Sequence, residues 1–175
     1  KPKHELLRVI ELAKDDPLSP AQHVLISGGT PRPEDEPWID DVYAFIAQNS
    51  PIPVDVMMPA RHDMNYPAWL RAVGVNLLSI NLEIWDVVQA RRITPNKARL
   101  LGRDHYLKYI EEAVKSFGVG FVQSLMVFGD AIEPVESTLE GVQSLVERGC
   151  IPVLSPFRPD FTTPMGKKSP ATIEE

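Results

Sequence analysis

The chain of 175 residues contains one cysteine, Cys150, and this scarcity limits the chemistry available to the protein. A single thiol rules out an internal disulfide bond and any metal site built from several cysteines, and it fits a reducing compartment such as the cytoplasm. No apolar run reaches the roughly 18 residues that span a membrane. The formal net charge of -6 opposes binding to nucleic acid. We therefore expect a cytoplasmic protein with no membrane or nucleic-acid partner.

Several signatures of common binding sites are also missing. The sequence has no G-x-G-x-x-G or Gly-Lys-Ser/Thr turn for a nucleotide and no G-x-S-x-G turn for a hydrolase. Its four histidines are scattered and never form an H-E-x-x-H zinc site. These absences argue against the enzyme classes that such motifs identify.

Short apolar segments alternate with amphipathic ones along the chain, which is the pattern of β/α units. We predict strands at residues 23–27, 54–58, 75–84, 119–128 and 150–154, and helices at residues 4–14, 35–48, 66–73, 104–117 and 137–147. Ser137 is the expected N-cap of the last helix, with Glu140 in the capping-box position. The segment after the third strand, residues 87–101, is predicted to be an irregular basic connection.

Five strands that alternate with helices predict a mostly parallel sheet in one α/β domain. We place this domain at residues 1–159, followed by a C-terminal extension or loop at residues 160–175. Two architectures fit the pattern: an open doubly wound sheet and part of a (β/α) barrel. In both, functional side chains gather at the C-terminal ends of the strands.

Two strand ends carry the most informative residues. Gly28 and Gly29 follow the first strand, where glycines let the backbone approach a ligand closely or simply complete a turn. Ser79, Asn81 and Glu83 are expected on one face of the third strand, because side chains alternate along a strand. Polar groups on an apolar strand are costly unless they pair with one another or bind a ligand. Both interpretations stay open from the residues alone.

Basic and loop residues near the other strand ends add candidates for ligand contacts. Arg103 opens a predicted helix, and its guanidinium either clamps a carboxylate or lies in a solvated basic loop. Arg61, His62 and Asp63 follow the second strand, and Arg158 follows the last one. We take these four as candidate substrate contacts, by position only.

Four motifs, in order along the chain, resemble the core of the radical S-adenosylmethionine (SAM) enzymes. They are Gly-Gly-Thr after a strand, S-I-N-L-E near a strand end two units later, G-R-D-H-Y-L at a helix start, and F-G-D-A-I-E-P before S-T-L-E-G-V. The resemblance spans residues 24–159 and is nearest to the branch of biotin synthase, the hydrogenase maturase HydE and the pyrrolysine-pathway mutase. It implies a partial TIM-type (β/α) barrel that lacks its first strand.

The resemblance also implies a SAM site. Its cofactor-binding residues would be Gly28, Gly29, Thr30, Ser79, Asn81, Glu83, Arg103, Met126, Phe128 and Gly129. The backbone of the first three would receive the methionyl amino group, although Thr30 stands where the family has an acidic residue. Asn81 and Glu83 would hold the ribose or the amino group, Arg103 would pair with the carboxylate, and the strand that ends before Gly129 would contact adenine.

The cluster motif of the family is missing from this chain. Radical SAM enzymes hold a [4Fe–4S] cluster on a C-x-x-x-C-x-x-C loop, and the resemblance implies that this loop and the first strand lie upstream of Lys1. The intact enzyme would use an electron donor such as flavodoxin or ferredoxin and cleave SAM to a 5′-deoxyadenosyl radical. That radical would abstract hydrogen from a small-molecule substrate. No metal ligands are expected in the chain itself.

Two other functions stay open at this point. A catalytically inactive scaffold could have kept the fold and lost the cluster. An unrelated barrel lyase or aldolase would carry a Schiff-base lysine inside a strand, and none of the predicted strands contains a lysine.

Overall fold

Five strands form one parallel sheet in the computed structural model, which describes residues 2–173. Lys1, Glu174 and Glu175 lie outside the described residues, the last two within the predicted C-terminal extension. The strands are β1 (Val24–Ser27), β2 (Val54–Met57), β3 (Leu77–Ser79), β4 (Val122–Phe128) and β5 (Ile151–Pro156). Each strand pairs with the next one along the chain, so the spatial order is β1-β2-β3-β4-β5.

The strand order decides between the two architectures that the sequence left open. A doubly wound sheet reverses at a switch point in its strand order, whereas a (β/α) barrel adds its strands one after another. The sheet has the second arrangement and is flanked by helices. The chain is therefore an α/β protein with a partial TIM-type fold.

Seven α-helices precede or connect the strands within residues 2–173. They are α1 (Lys3–Lys14), α2 (Glu36–Asn49), α3 (Tyr66–Ala72), α4 (Val87–Ile93), α5 (Pro95–Leu100), α6 (Gly102–Phe117) and α7 (Val135–Glu147). A turn of 3-10 helix, Pro33–Asp35, leads into α2. Parallel strands cannot be joined by a tight hairpin, so each return needs a crossover. None of the described helices has the length and apolar character that crossing a bilayer requires.

The main core fills the space between the sheet and its covering helices. Val56, Leu78 and Val122 of the central strands are completely buried there. Helix α6 contributes the buried residues Tyr106, Leu107, Ile110, Ala113 and Phe117 to this core. A smaller cluster joins α1 and α2 to β2. Burying one such side chain stabilises the fold by about 1.5–3 kcal/mol, so the sheet is a firm base for the loops at its ends.

The third strand is much shorter than predicted. β3 has three residues, and the chain rejoins β4 through an isolated bridge between Glu83 and Met126. Before that bridge, the amide of Leu82 donates to the hydroxyl of Ser124 at 2.9 Å. Glu83 then adopts a φ of 73°, in the left-handed region that residues with a side chain disfavour. The strict alternation expected from the sequence therefore ends before Glu83.

The predicted irregular connection after β3 is instead formed by two short helices, α4 and α5. The carboxylate of Asp86 accepts hydrogen bonds from the amides of Val88 and Gln89, both at 2.8 Å, and caps α4. Pro95 occupies the first turn of α5, where proline is tolerated because its missing amide is not needed. Neither helix contributes a fully buried residue. The helices have only seven and six residues, which is too short for an apolar stripe to stand out in the sequence.

The start of α7 also differs from the prediction. The helix begins directly after Pro134, so the assignment of Ser137 as its N-cap is wrong. Ser137 lies inside the helix, and its hydroxyl donates to the carboxylate of Glu133 at 3.0 Å. Glu140, the expected capping-box partner, accepts a bond from the indole nitrogen of Trp85 at 3.4 Å. The carboxylate of Glu133 binds the hydroxyls of Ser137 and Thr138, and among the described residues no side chain caps the amides of α7.

The end of the chain folds back toward the C-terminal ends of the last two strands. β5 continues to Pro156, two residues past its predicted end. The amide of Phe157 then donates to the carbonyl of Phe128 at 2.9 Å, and the amide of Ala171 donates to the carbonyl of Phe157 at 3.1 Å. The segment between them consists mainly of turns. Part of the predicted C-terminal extension is therefore hydrogen-bonded to the residue that follows β5.

Two tyrosines give a test of the core. The hydroxyl of Tyr109 is buried and has no hydrogen-bond partner among the described residues, whereas that of Tyr66 donates to Asp40 at 2.6 Å. An unpaired buried hydroxyl costs free energy, so we expect Tyr109→Phe to keep or raise the free energy of unfolding. Tyr66→Phe should lower it by about 1–2 kcal/mol. Urea denaturation measures both variants, and equal losses in the two would contradict the assignment for Tyr109.

Candidate functional site

The strands all point the same way, so their C-terminal ends share one edge of the sheet. Two cavities lie along that edge among the described residues, and they have no lining residue in common. The glycine cavity, of about 410 Å³, is bordered by the loops after β1 and β2 and by α2. The arginine cavity, of about 390 Å³, is bordered by the segment after β3, by α4 and α5, and by the first turn of α6. Both volumes are typical of small-molecule sites.

Three predicted cofactor-binding residues, Gly28, Gly29 and Thr30, line the glycine cavity. A β-carbon built at either glycine would meet no atom within 4 Å, so a ligand can approach the backbone there. Trp38 lies on the rim of this cavity with 65% of its surface exposed. The turn is therefore open enough for a ligand group to reach its backbone, and ligand binding there stays a prediction.

Arg61, a predicted substrate contact, also lines the glycine cavity, but neighbours within the chain hold its guanidinium. Its two terminal nitrogens donate to the carboxylate of Asp40 at 3.2 and 2.8 Å, and Glu36 lies 3.6 Å away. The ring of Tyr66 stacks on the guanidinium at 3.7 Å. Burial raises the pKa of Tyr66, so its hydroxyl stays protonated and also donates to Asp40. An incoming anion would have to compete with Asp40.

Arg103 and Lys97 bring positive charge to the arginine cavity. The guanidinium of Arg103 stacks 4.4 Å from the ring centre of Trp85 and donates to the Trp85 carbonyl at 3.1 Å. Its Nε is buried without a hydrogen-bond partner in residues 2–173. The ammonium of Lys97 donates to the carbonyl of Asn81 at 2.6 Å and to the carboxylate of Glu83 at 3.2 Å. The cavity therefore suits an anionic group.

Lys97 is a functional candidate that the sequence did not single out. Burial lowers the pKa of Lys97, although the nearby carboxylate of Glu83 partly offsets this effect. The residue pattern placed this lysine in a basic connection together with Arg91, Arg92 and Arg99. Lys97 reaches the end of β3 from the short helix α5, which the pattern did not predict.

The polar row after β3 is paired within the protein. The hydroxyl of Ser79 and the amide of Leu125 both donate to the side-chain carbonyl of Asn81, at 2.9 and 3.2 Å. Ser79 is buried, so this network satisfies a polar group that would otherwise be costly. Glu83 is directed instead to Lys97. Contact between these side chains and a cofactor stays a prediction.

The predicted adenine segment at the end of β4 lines neither cavity. Met126 is fully buried and packs so closely on Gly141 that a β-carbon there would overlap its methyl group. Phe128 is partly buried. Gly129 has a φ of 136°, and a β-carbon on it would lie 3.2 Å from Ala171. Adenine contact by this segment stays a prediction, and Met126 has only its backbone to offer.

The other predicted substrate contacts are exposed and also line neither cavity. The ring of His62 lies 5.8 Å from that of His105 in an edge-to-face arrangement. The carboxylate of Asp63 accepts a bond from the amide of Asn65 at 2.9 Å, just before α3. Arg158 follows β5 on the surface. Their part in substrate binding stays a prediction.

A single loop, residues 58–61, divides the two cavities. Three of its residues line the glycine cavity. From the other side, Tyr106 of the arginine cavity is hydrogen-bonded to the backbone of Ala60, and burial raises the pKa of Tyr106 to about 12. A ring nitrogen of His105 lies 2.8 Å from the carbonyl of Arg61. The structure therefore places the glycine turn and the arginine cavity side by side without merging them.

An iron–sulfur cluster does not fit the described residues. Residues 2–173 contain no group of three or more His, Cys, Asp or Glu side chains that could hold a metal ion. Cys150 is buried, and this burial raises the pKa of its thiol to about 12. A cluster ligand has to be a thiolate, so Cys150 is a core residue.

The fold has a known counterpart. The chain is similar in structure to coproporphyrinogen III oxidase from Escherichia coli, which is described as a radical SAM enzyme, with a TM-score of 0.56 and 16% sequence identity. The two proteins share the partial (β/α) barrel fold. The likeness covers 86% of this chain and 37% of the oxidase, and at this identity it concerns the fold alone. No family model and no curated protein matches the sequence.

The buried thiol gives a prediction. Because a protonated thiol is a poor nucleophile, Cys150 should react very slowly with Ellman's reagent at pH 8 in the native protein and rapidly in concentrated urea. The time course of thionitrobenzoate release measures both rates. Rapid labelling of the native protein would contradict the burial of Cys150.

Proposed function

We propose that this chain is the SAM-binding part of a radical SAM enzyme, in the branch of biotin synthase, HydE and the pyrrolysine-pathway mutase. The observation that carries the proposal is the fold, with five parallel strands in barrel order and a radical SAM enzyme as its structural counterpart. A fold alone does not define a function. The polar groups at the C-terminal strand ends add support, because barrel enzymes bind their ligands there.

The methionine end of SAM carries an ammonium group and a carboxylate, and the chain offers a partner for each. The open backbone at Gly28 and Gly29 would accept the ammonium group. The guanidinium of Arg103 would form charge-assisted hydrogen bonds with the carboxylate. Because these groups border neighbouring cavities, SAM would lie across the loop at residues 58–61.

The remaining contacts follow from the same placement. Asn81 and Glu83 would hold the ribose or the amino group, and the end of β4 at Phe128 and Gly129 would contact adenine. The carboxylate of Glu83 is paired with Lys97. A carboxylate oxygen can accept more than one hydrogen bond, so Glu83 would bind a ligand donor while it keeps its ion pair with Lys97. Breaking that pair would leave a part-buried charge without a partner.

The [4Fe–4S] cluster and its chemistry belong to another segment in this proposal. The described residues do not fit a cluster, so we place its cysteine ligands upstream of Lys1. Hydrogen abstraction, the small-molecule substrate and an electron donor such as flavodoxin or ferredoxin are assigned to the intact protein in the cytoplasm. The candidate substrate contacts remain Arg61, His62, Asp63 and Arg158.

SAM binding to this chain tests the proposal. Isothermal titration calorimetry should detect binding of SAM, and Arg103→Met should weaken it about tenfold, since the carboxylate loses a charge-assisted partner. The same variant should leave the affinity for 5′-methylthioadenosine unchanged, because that nucleoside has no amino-acid carboxylate.

The matched control is Arg99→Met, which removes an exposed arginine from α5 that donates only to its neighbour Asn96. It should bind SAM as the unaltered chain does. A folded chain that binds neither SAM nor 5′-methylthioadenosine would overturn the proposed function and favour a scaffold that no longer binds the cofactor.

A further inference from the structure

Glu133 is an acidic side chain in the interior of the protein. Only 1% of its surface is exposed. Its carboxylate accepts four hydrogen bonds: from the amides of Trp85 and Asp86 at 3.1 and 2.6 Å, and from the hydroxyls of Ser137 and Thr138 at 3.0 and 3.3 Å. All of its acceptor sites are thereby directed to partners on two separate segments of the chain.

No cation pairs with this carboxylate among residues 2–173. Its charge is balanced by the four donors and by the first turn of α7, where the helix dipole is positive. Burying a carboxylate in this way is costly unless the surrounding donors are fixed. The arrangement therefore ties the segment after β3 firmly to the start of α7.

The residues that Glu133 holds are those that shape the arginine cavity. Trp85 stacks on the guanidinium of Arg103 at 4.4 Å, and its carbonyl accepts a bond from that guanidinium at 3.1 Å. Asp86 caps α4, and α4 forms another wall of the cavity. The position of the Arg103 guanidinium therefore depends on Trp85, and that of α4 depends on Asp86. Glu133 accepts hydrogen bonds from the backbone amides of both residues.

We infer that Glu133 is a positioning residue for the arginine cavity: it fixes Trp85 so that Arg103 is aimed at a ligand carboxylate. The inference rests on the proposed function for the identity of that ligand, SAM. Glu133 touches no ligand itself, since its side chain is buried and lines neither cavity. A purely structural role would make Glu133 a tie between the segment after β3 and the start of α7 and nothing more.

Glu133→Gln separates these two roles. Glutamine keeps the volume of the side chain, but its NH2 group would face hydrogen-bond donors. The backbone N–H of Asp86 can only donate, so a hydrogen bond would be lost. We expect SAM to bind about tenfold more weakly, because Arg103 loses its support, while 5′-methylthioadenosine binds as before. In the double variant with Arg103→Met, the second change should add no further loss.

Two more variants guard against misfolding. Glu133→Asp retains the charge and two acceptor oxygens on a shorter side chain, so it should fold even if the amide variant does not, and it should show the same selective loss. Val142→Ala removes partly buried methyl groups from the same helix without touching the cavity. It should lower the melting temperature while leaving both affinities unchanged.

Equal losses of affinity for SAM and 5′-methylthioadenosine, or no loss for either, would overturn the positioning role.

A measurement made without ligand distinguishes this result from a failure of the proposed function. The side-chain Nε–H resonance of Arg103 should be resolved in the unaltered chain and move toward the free-arginine position in Glu133→Gln. If SAM does not bind at all, the proposed function fails, and an unmoved resonance would then overturn the positioning role separately.

Discussion

The parallel direction of every strand is the constraint on which the candidate site depends. A parallel pair needs a crossover between its strands, so the chain returns through helices and delivers each strand end to the same edge. The glycine turn after β1 and the acidic residue after β3 are far apart in sequence, yet both lie along this edge. The helices that make the returns also become the walls of the two cavities.

The polar groups at this edge are paired with one another in advance of any ligand. Arg61 is bound to Asp40, Lys97 to Glu83, and Arg103 to the backbone of Trp85. Low-dielectric surroundings make an unpaired charge expensive, so such pairing keeps the site stable when it is empty. It also fixes the geometry of the groups, which lowers the entropic cost of binding.

Residue patterns predicted the five strands and five of the seven described helices, α1, α2, α3, α6 and α7, because their apolar periodicity is set by burial against one sheet. They failed after β3, where long-range contacts decide the backbone. The left-handed turn at Glu83, the two short helices and the burial of Lys97 all depend on partners distant in sequence, such as Ser124 and Glu133. A local pattern contains no information about those partners. For the same reason, the residue pattern could not predict that the glycine cavity and the arginine cavity are separate.

The backbone of Glu83 couples a strained turn to the charge of Lys97. A residue other than glycine at φ of 73° carries a steric penalty of about 1–2 kcal/mol. In a library screened only for heat resistance, Glu83→Gly or Glu83→Asn would relieve that penalty but would also leave the ammonium of Lys97 without its carboxylate partner. Directed evolution for robustness would therefore have to replace Glu83 and Lys97 together, because either change alone leaves a charge unpaired.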